Sequence, residues 1–285
     1  MAIRYDHLMA LDFPAREFRY GERDTLLYAL GVGMGQDMPT DLPFVFEQGL
    51  QVLPTQATVM AWEDTWQEAT GMDLTKIVHG EQRVTLHRPL TVAGHVRAKL
   101  RIVDAFDKGP GRGAVLLART DIHDAVDAAP VATLLSTIFA RGDGGFGGPT
   151  GRGPAPHHVP ERAPDGEVAL RTRPEQALIY RLSGDRNPLH VDPAFARRAG
   201  FERPILHGLC SYGVAAVSVV RGACGMRADR ITHFEARFTA PVFPGETLST
   251  AYWVDGDTVS FRTRVVERGV VALDHGKAVL TASTT

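Results

Sequence analysis

The chain has 285 residues, 44% hydrophobic and 22% charged, with 31 basic against 33 acidic side chains and a formal net charge of −2. This is globular composition with room for about two domains and a sizeable core, and it lacks the broad positive field that nucleic acid or an anionic membrane selects, so neither partner is expected. Cys210 and Cys224 are too few for a disulfide framework and suit a reducing, cytoplasmic setting; no apolar run approaches the roughly 20 residues of a membrane span, and neither terminus carries a signal-peptide core or a peroxisomal address.

In chain order, a helical stretch through Leu27 and Leu30 comes first. Gly31, Gly33 and Gly35 imitate a dinucleotide fingerprint, but Gln36 takes the third glycine's place and the run follows a helix, so no nicotinamide site is expected. Pro54 to Trp66 is the expected core helix of this half, and Trp62, Trp66 and the later Trp253 have core spacing. Val84 and Leu86 then alternate with Arg83, Thr85 and His87, and Val96, Ala98, Leu100 and Ile102 with Arg97, Lys99 and Arg101. Such period-two patterning suits an antiparallel sheet with one solvated face.

Residues 142–153 hold seven glycines, and prolines follow at 154, 156, 160 and 164. A linker over 142–165 is expected, in preference to a phosphate cradle. It separates repeats at 1–141 and 166–285, because Ile179-Tyr180-Arg181-Leu182 lies 152 positions after Leu27-Tyr28-Ala29-Leu30, and Pro241-Val242 lies 152 after Pro89-Leu90. Pro204 to Arg221 reads as a buried helix with Pro204 at its start and Gly222 past its end, since Leu209, Gly213, Ala216, Val217 and Val220 recur at helical spacing while the other faces hold Val214, Ala215 and Val219. Strands follow in Phe234, Ala236 and Phe238 and in Val259, Phe261 and Val265. A small-residue helix wrapped by a curved antiparallel sheet, occurring twice, makes the class α+β.

The run Tyr180-Arg-Leu-Ser-Gly-Asp-Arg-Asn-Pro-Leu-His190 carries the chemistry. Asp185 and His190 share one loop, which Asn187 turns and Pro188 stiffens. A carboxylate and an imidazole that reach one water can hold it and move its protons, and each general acid or base step is worth about 10²- to 10⁴-fold. A turn aspartate and a surface histidine are the plain alternatives for each alone, but three conformation-setting residues around the pair exceed what a casual turn needs. Downstream, Pro204 to Gly208 enters the buried helix, where a free first-turn N–H, that of Gly208, can meet a developing oxyanion; close helix-to-sheet packing is the equal alternative, and His207 reads as structural. No metal is expected, because His190-x-Asp192 and His157-His158 lack a third ligand and Asp192-Pro193 suits a helix cap.

The second half resembles the MaoC-like, (R)-specific enoyl-CoA hydratase family with the hot-dog fold, and nearly the whole chain is similar to the hydratase 2 part of the peroxisomal multifunctional enzymes of type 2. The residues that carry this include Glu22-Arg23-Asp24, His79-Gly80-Glu81-Gln82, Asp107-Lys108-Gly109, Gly144 to Gly148, the loop Ser183 to His190, Ala236-Arg237-Phe238 and Pro241 to Gly245. The resemblance implies a double hot-dog in which the second repeat catalyses and the first accommodates the acyl group. At the 152 offset Asp185 falls on Gly33 and His190 on Met38, so one active site per chain is expected. By the resemblance, Asp185 and His190 hold the water, the Gly208 N–H polarises the thioester carbonyl, and His79, Gly80, Lys108, Arg186, Asn187, Pro188, Leu189 and Phe238 bind substrate. An acyl-CoA thioester is then the partner, coenzyme A belongs to the substrate, no separate cofactor is needed, and a homodimer is expected. A hot-dog acyl-CoA thioesterase and a non-catalytic acyl-CoA binding protein are the rival readings.

Overall fold

Strands β1 (Arg16–Tyr20), β2 (Ile77–Leu86), β3 (Gly94–Asp107), β4 (Ala114–Asp124), β5 (Pro130–Ala140), β6 (Gly166–Arg171), β7 (Ile231–Phe238), β8 (Thr247–Asp255), β9 (Thr258–Val265) and β10 (Val270–Leu280) form one antiparallel sheet in the computed structural model, which describes residues 3–151 and 153–281. Their order is β1-β3-β4-β5-β2-β7-β10-β9-β8-β6, so the two repeats meet at β2 and β7 and run outward in matching sequence. The register at that seam pairs Glu81 with Arg237, Arg83 with Glu235 and Thr85 with His233. Exchanging the strands by 152 positions carries Glu81 onto His233 and Arg237 onto Thr85, so the register maps onto itself about the Arg83–Glu235 pair. The duplication read from the sequence is thus a two-fold axis in the double hot-dog.

Within the second repeat the core helix is Gly208–Ala223, and Leu209 through Val220 are all buried. Its small and β-branched residues let the sheet close around it, and each fully buried valine or leucine contributes about 1.5–3 kcal/mol. The start differs from expectation: Pro204 lies four residues upstream, because the Leu206 N–H pairs with the Val242 carbonyl (2.7 Å) and keeps the approach extended until His207. Gly222 lies inside the last turn instead of beyond it.

The first repeat departs further. In place of one helix over Pro54 to Trp66 there are short turns at Pro54–Gln56, Ala57–Met60 and Thr65–Thr70, with residues 61–64 non-helical. Ala61 leaves the helical region (φ −137°, ψ 50°), and the Glu63 carboxylate accepts the Thr65 N–H (2.9 Å), a local bond that competes with helix continuation.

A further expectation is corrected. The polar face of β2 and β7 is covered rather than solvated: Arg83 bridges Glu81 and Glu235, Arg237 meets Glu81 (2.7 Å), and Arg83 also donates to the Ala155 carbonyl of the linker that crosses above (3.3 Å). The glycine-rich stretch is fastened as well, since the Asp107 carboxylate accepts N–H groups from Gly145 (2.7 Å) and Gly147 (2.8 Å). Those bonds, led by Gly145, hold its carboxyl below the usual carboxylate range. Cys210 and Cys224 are buried free thiols, and among the described residues no helix is long and apolar enough to cross a membrane.

Candidate active site

Local hydrogen bonds shape the loop as its residue types require. Asp185 Oδ1 accepts the Asn187 N–H (3.1 Å), and Asn187 Oδ1 accepts the Leu189 N–H (3.0 Å), which starts the turn Pro188–His190. Gly184 precedes this with φ +133°, a conformation L residues rarely adopt, and a Cβ there would lie 2.8 Å from the Trp62 Cβ. Asp192 then caps the helix Pro193–Arg198 by accepting the Ala194 N–H (2.8 Å).

These turns bring Asp185 and His190 together. Asp185 Oδ2 lies 4.0 Å from His190 Nε2, and the two side chains are 16% and 9% exposed. His190 Nδ1 is 2.9 Å from the Ile205 carbonyl, which must accept from an Nδ1–H and so leaves the Nε2 lone pair facing the carboxylate. The gap is too long for a direct hydrogen bond but lets one water oxygen sit about 2.8 Å from both groups. Burial raises the Asp185 pKa and lowers that of His190, and their mutual attraction offsets part of each.

His207, read from the sequence as structural, packs directly against this pair. Its ring stacks on His190 with centroids 3.7 Å apart, and its Nε2–H donates to the Asp185 carbonyl (3.1 Å). Burial, then the neighbouring His190, pushes its pKa down to about 3, so the ring is neutral. Tyr180 packs against its other side at 5.0 Å. The loop and the helix entry are therefore cross-bonded: His190 of the loop reaches a carbonyl before the helix, and His207 before the helix reaches a carbonyl of the loop.

The next residue is Gly208, at the first position of the core helix. Its N–H has no partner among the described residues, and an added Cβ would press on the Phe238 ring at 3.3 Å, so oxyanion access and close packing both apply. Phe238 in turn packs against His79 (4.9 Å), whose Nε2 is buried without a partner and whose pKa burial pushes down to about 4. Gly80 lies at a bulge beside Thr137. Asp185, His190, His207, Gly208, Phe238 and His79 thus form one contiguous surface. Lys108 is not part of it: the ammonium sits 5.9 Å from the Phe139 ring, and Phe139 pairs with Val78, the neighbour of His79. Arg186 is exposed and contributes its carbonyl to Arg181 (3.2 Å).

Trp62, read as ordinary core, supports the Asp185–His190 loop from the first repeat, and nothing in its local sequence signals this. Asp64 also acts on Asp185, raising its pKa by like charge. Asp185, His190 and His207 each place one potential ligand atom within 4.8 Å of the others, with the two imidazoles stacked at 27° and one nitrogen of each bonded to a carbonyl.

Comparison with known proteins adds to this geometry. Residues 156–275 match the MaoC like domain, and residues 18–142 match the MFE-2 hydratase 2 N-terminal domain. The chain is 46% identical to a Mycobacterium tuberculosis 3-hydroxyacyl-thioester dehydratase over 91% of its own length and 92% of the relative's. It is 42% identical to an enoyl-CoA hydratase of the same organism, covering 90% and 91% of the two chains. Among solved structures, a MaoC-like dehydratase from Phytophthora capsici superposes with a TM-score of 0.87 at 35% identity, over 98% of this chain and 99% of that one.

Proposed function

The chain belongs to the MaoC-like hydratase 2 family, and on that premise we propose that Asp185, His190 and the Gly208 N–H carry out its reaction on trans-2-enoyl-CoA thioesters. It is a hydro-lyase of the enoyl-CoA hydratase and 3-hydroxyacyl-thioester dehydratase class. The observation that carries the assignment of roles is the 4.0 Å gap between Asp185 Oδ2 and His190 Nε2, with Nδ1 already committed to Ile205.

In the hydration direction, water held between the two groups attacks C3. One water O–H bond breaks and its proton goes to the dyad, the C3–O bond forms, and the C2–C3 π electrons move toward the thioester oxygen. The Gly208 N–H, at the positive end of a helix of 16 residues, stabilises that oxygen. The dyad then returns a proton to C2 on the face from which water came, which makes the addition syn; the (3R) product requires that this be the one face of C3 that the bound enoyl group turns toward the dyad. Asp185 and His190 act as one coupled unit. Negative charge is met by a backbone donor, so the chemistry calls for no metal or redox group.

His79, Gly80 and Phe238 form the wall against which the thioester arm lies, the segment Arg186 to Leu189 flanks it, and Lys108 meets the coenzyme A moiety as a point charge. The acyl tail points toward the first repeat, where the interrupted core helix leaves a cavity of about 210 Å³ walled by Phe13, Phe18, Trp66, Ala98 and Leu100.

The test is hydration of crotonyl-CoA by the wild type, Asp185→Asn and His190→Gln, followed as loss of enoyl-thioester absorbance alongside a free-thiol assay and chiral analysis of product. Each variant is expected to lose at least about 10²-fold in kcat with little change in Tm. Near-native turnover in either would remove the dyad from the mechanism, and release of thiol would identify a thioesterase instead.

A further inference from the structure

Where the core helix of the first repeat is interrupted, residues 61–65 form a thin partition with two different faces. Ala61, Glu63 and Thr65 line the cavity. Trp62, between them, faces the other way and packs beneath Gly184, which precedes Asp185. The partition therefore stands between the dyad and the cavity. The Glu63 carboxylate fastens it at both ends, one oxygen accepting the N–H (2.9 Å) and hydroxyl of Thr65, the other meeting the guanidinium of Arg16 on β1. That carboxylate is 19% exposed and sits among walls that are mostly apolar, with Thr65 and Thr120 the neutral polar exceptions, whereas Arg16 is half exposed.

We propose that the Arg16–Glu63 ion pair sets the acyl-chain length the enzyme accepts, by bracing the partition across the way from the dyad to the cavity. This rests on the reading of the dyad and cavity given above. A short acyl group ends before the partition and is indifferent to the brace. A long tail must move the partition or pass along it, and a carboxylate held in place by a charged partner opposes that passage. Neither Arg16 nor Glu63 touches the reacting atoms, so both are specificity-determining rather than catalytic.

The experiment compares kcat/KM for trans-2-hexadecenoyl-CoA with that for crotonyl-CoA in the wild type, Arg16→Met, Glu63→Gln, the double variant and Arg16→Lys. The long-to-short ratio is expected to rise about three- to fivefold in Arg16→Met and Glu63→Gln, the change an ion pair with one half-exposed partner can carry. The double variant should rise no further than either single one, and Arg16→Lys should keep the wild-type ratio. A ratio that stays constant or falls in both single variants, or single effects that multiply in the double variant, would overturn the proposal while leaving the dyad intact. Failure of the wild type to hydrate crotonyl-CoA would instead defeat the dyad reading, and the brace with it.

Discussion

Acidification should weaken the fold through His207, by an amount the structure allows to be worked out. The residue is 1% exposed, stacked on His190, and bonded to the Asp185 carbonyl, and its pKa is pushed from 6.5 down to about 3. Above pH 6.5 the ring is neutral in both folded and unfolded chains and adds no pH dependence. Below that, the unfolded chain gains a proton that the folded one refuses until about pH 3, so stability falls as pH falls through this window. The slope is about 1.4 kcal/mol per pH unit at its steepest, and integration from neutral pH to about pH 5 gives a loss of about 2 kcal/mol. Urea unfolding at about pH 7.5 and about pH 5 measures it, with His207→Asn as the comparison, because asparagine keeps an N–H donor and cannot titrate. The wild type should lose about 2 kcal/mol more than the variant across that interval. Other titrating groups, including His79, contribute to both proteins and cancel. Equal losses would show that His207 is not held neutral, and the stacked geometry would be wrong.

Gly184→Ala should cost about 1–3 kcal/mol from its positive φ alone and should also displace the dyad, because the new methyl meets Trp62; thermal unfolding and crotonyl-CoA turnover, both reduced, check it, and an unaltered kcat would mean the loop tolerates movement. Lys108→Ala should raise KM for enoyl-CoA more than it lowers kcat, since the ammonium lies outside the reacting centre. Steady-state kinetics decide this, and an unchanged KM would make Lys108 a solvated hairpin residue.

Much of this architecture was legible in the residues because its determinants are local or repeated. The offset between Tyr28 and Tyr180 became the two-fold register at Arg83 and Glu235, and the turn chemistry of Asn187 and Pro188 does bring Asp185 to His190. What escaped was decided by partners distant in sequence. The break after Met60 lets the Trp62 side chain pack under Gly184 of the other repeat, and no helical periodicity records that contact. The solvated appearance of Arg83 and Glu235 dissolves because the linker returns over them, and His207 joins the dyad only through a ring stack across 17 residues. Lys108, carried over by resemblance as a contact for the coenzyme A moiety, lies beside Phe139 and outside the dyad, and its local sequence says nothing of a ligand.

The reciprocal bonds from His190 to the Ile205 carbonyl and from His207 to the Asp185 carbonyl tie the dyad loop and the Gly208 amide into a single piece. In the proposed mechanism this keeps nucleophile and electrophile stabiliser in step before any ligand arrives, and leaves adjustment to different ligands to the opposite half of the molecule. Across a homologous series of acyl groups, variation should then surface in occupancy and not in the intrinsic barrier of the bond-making step.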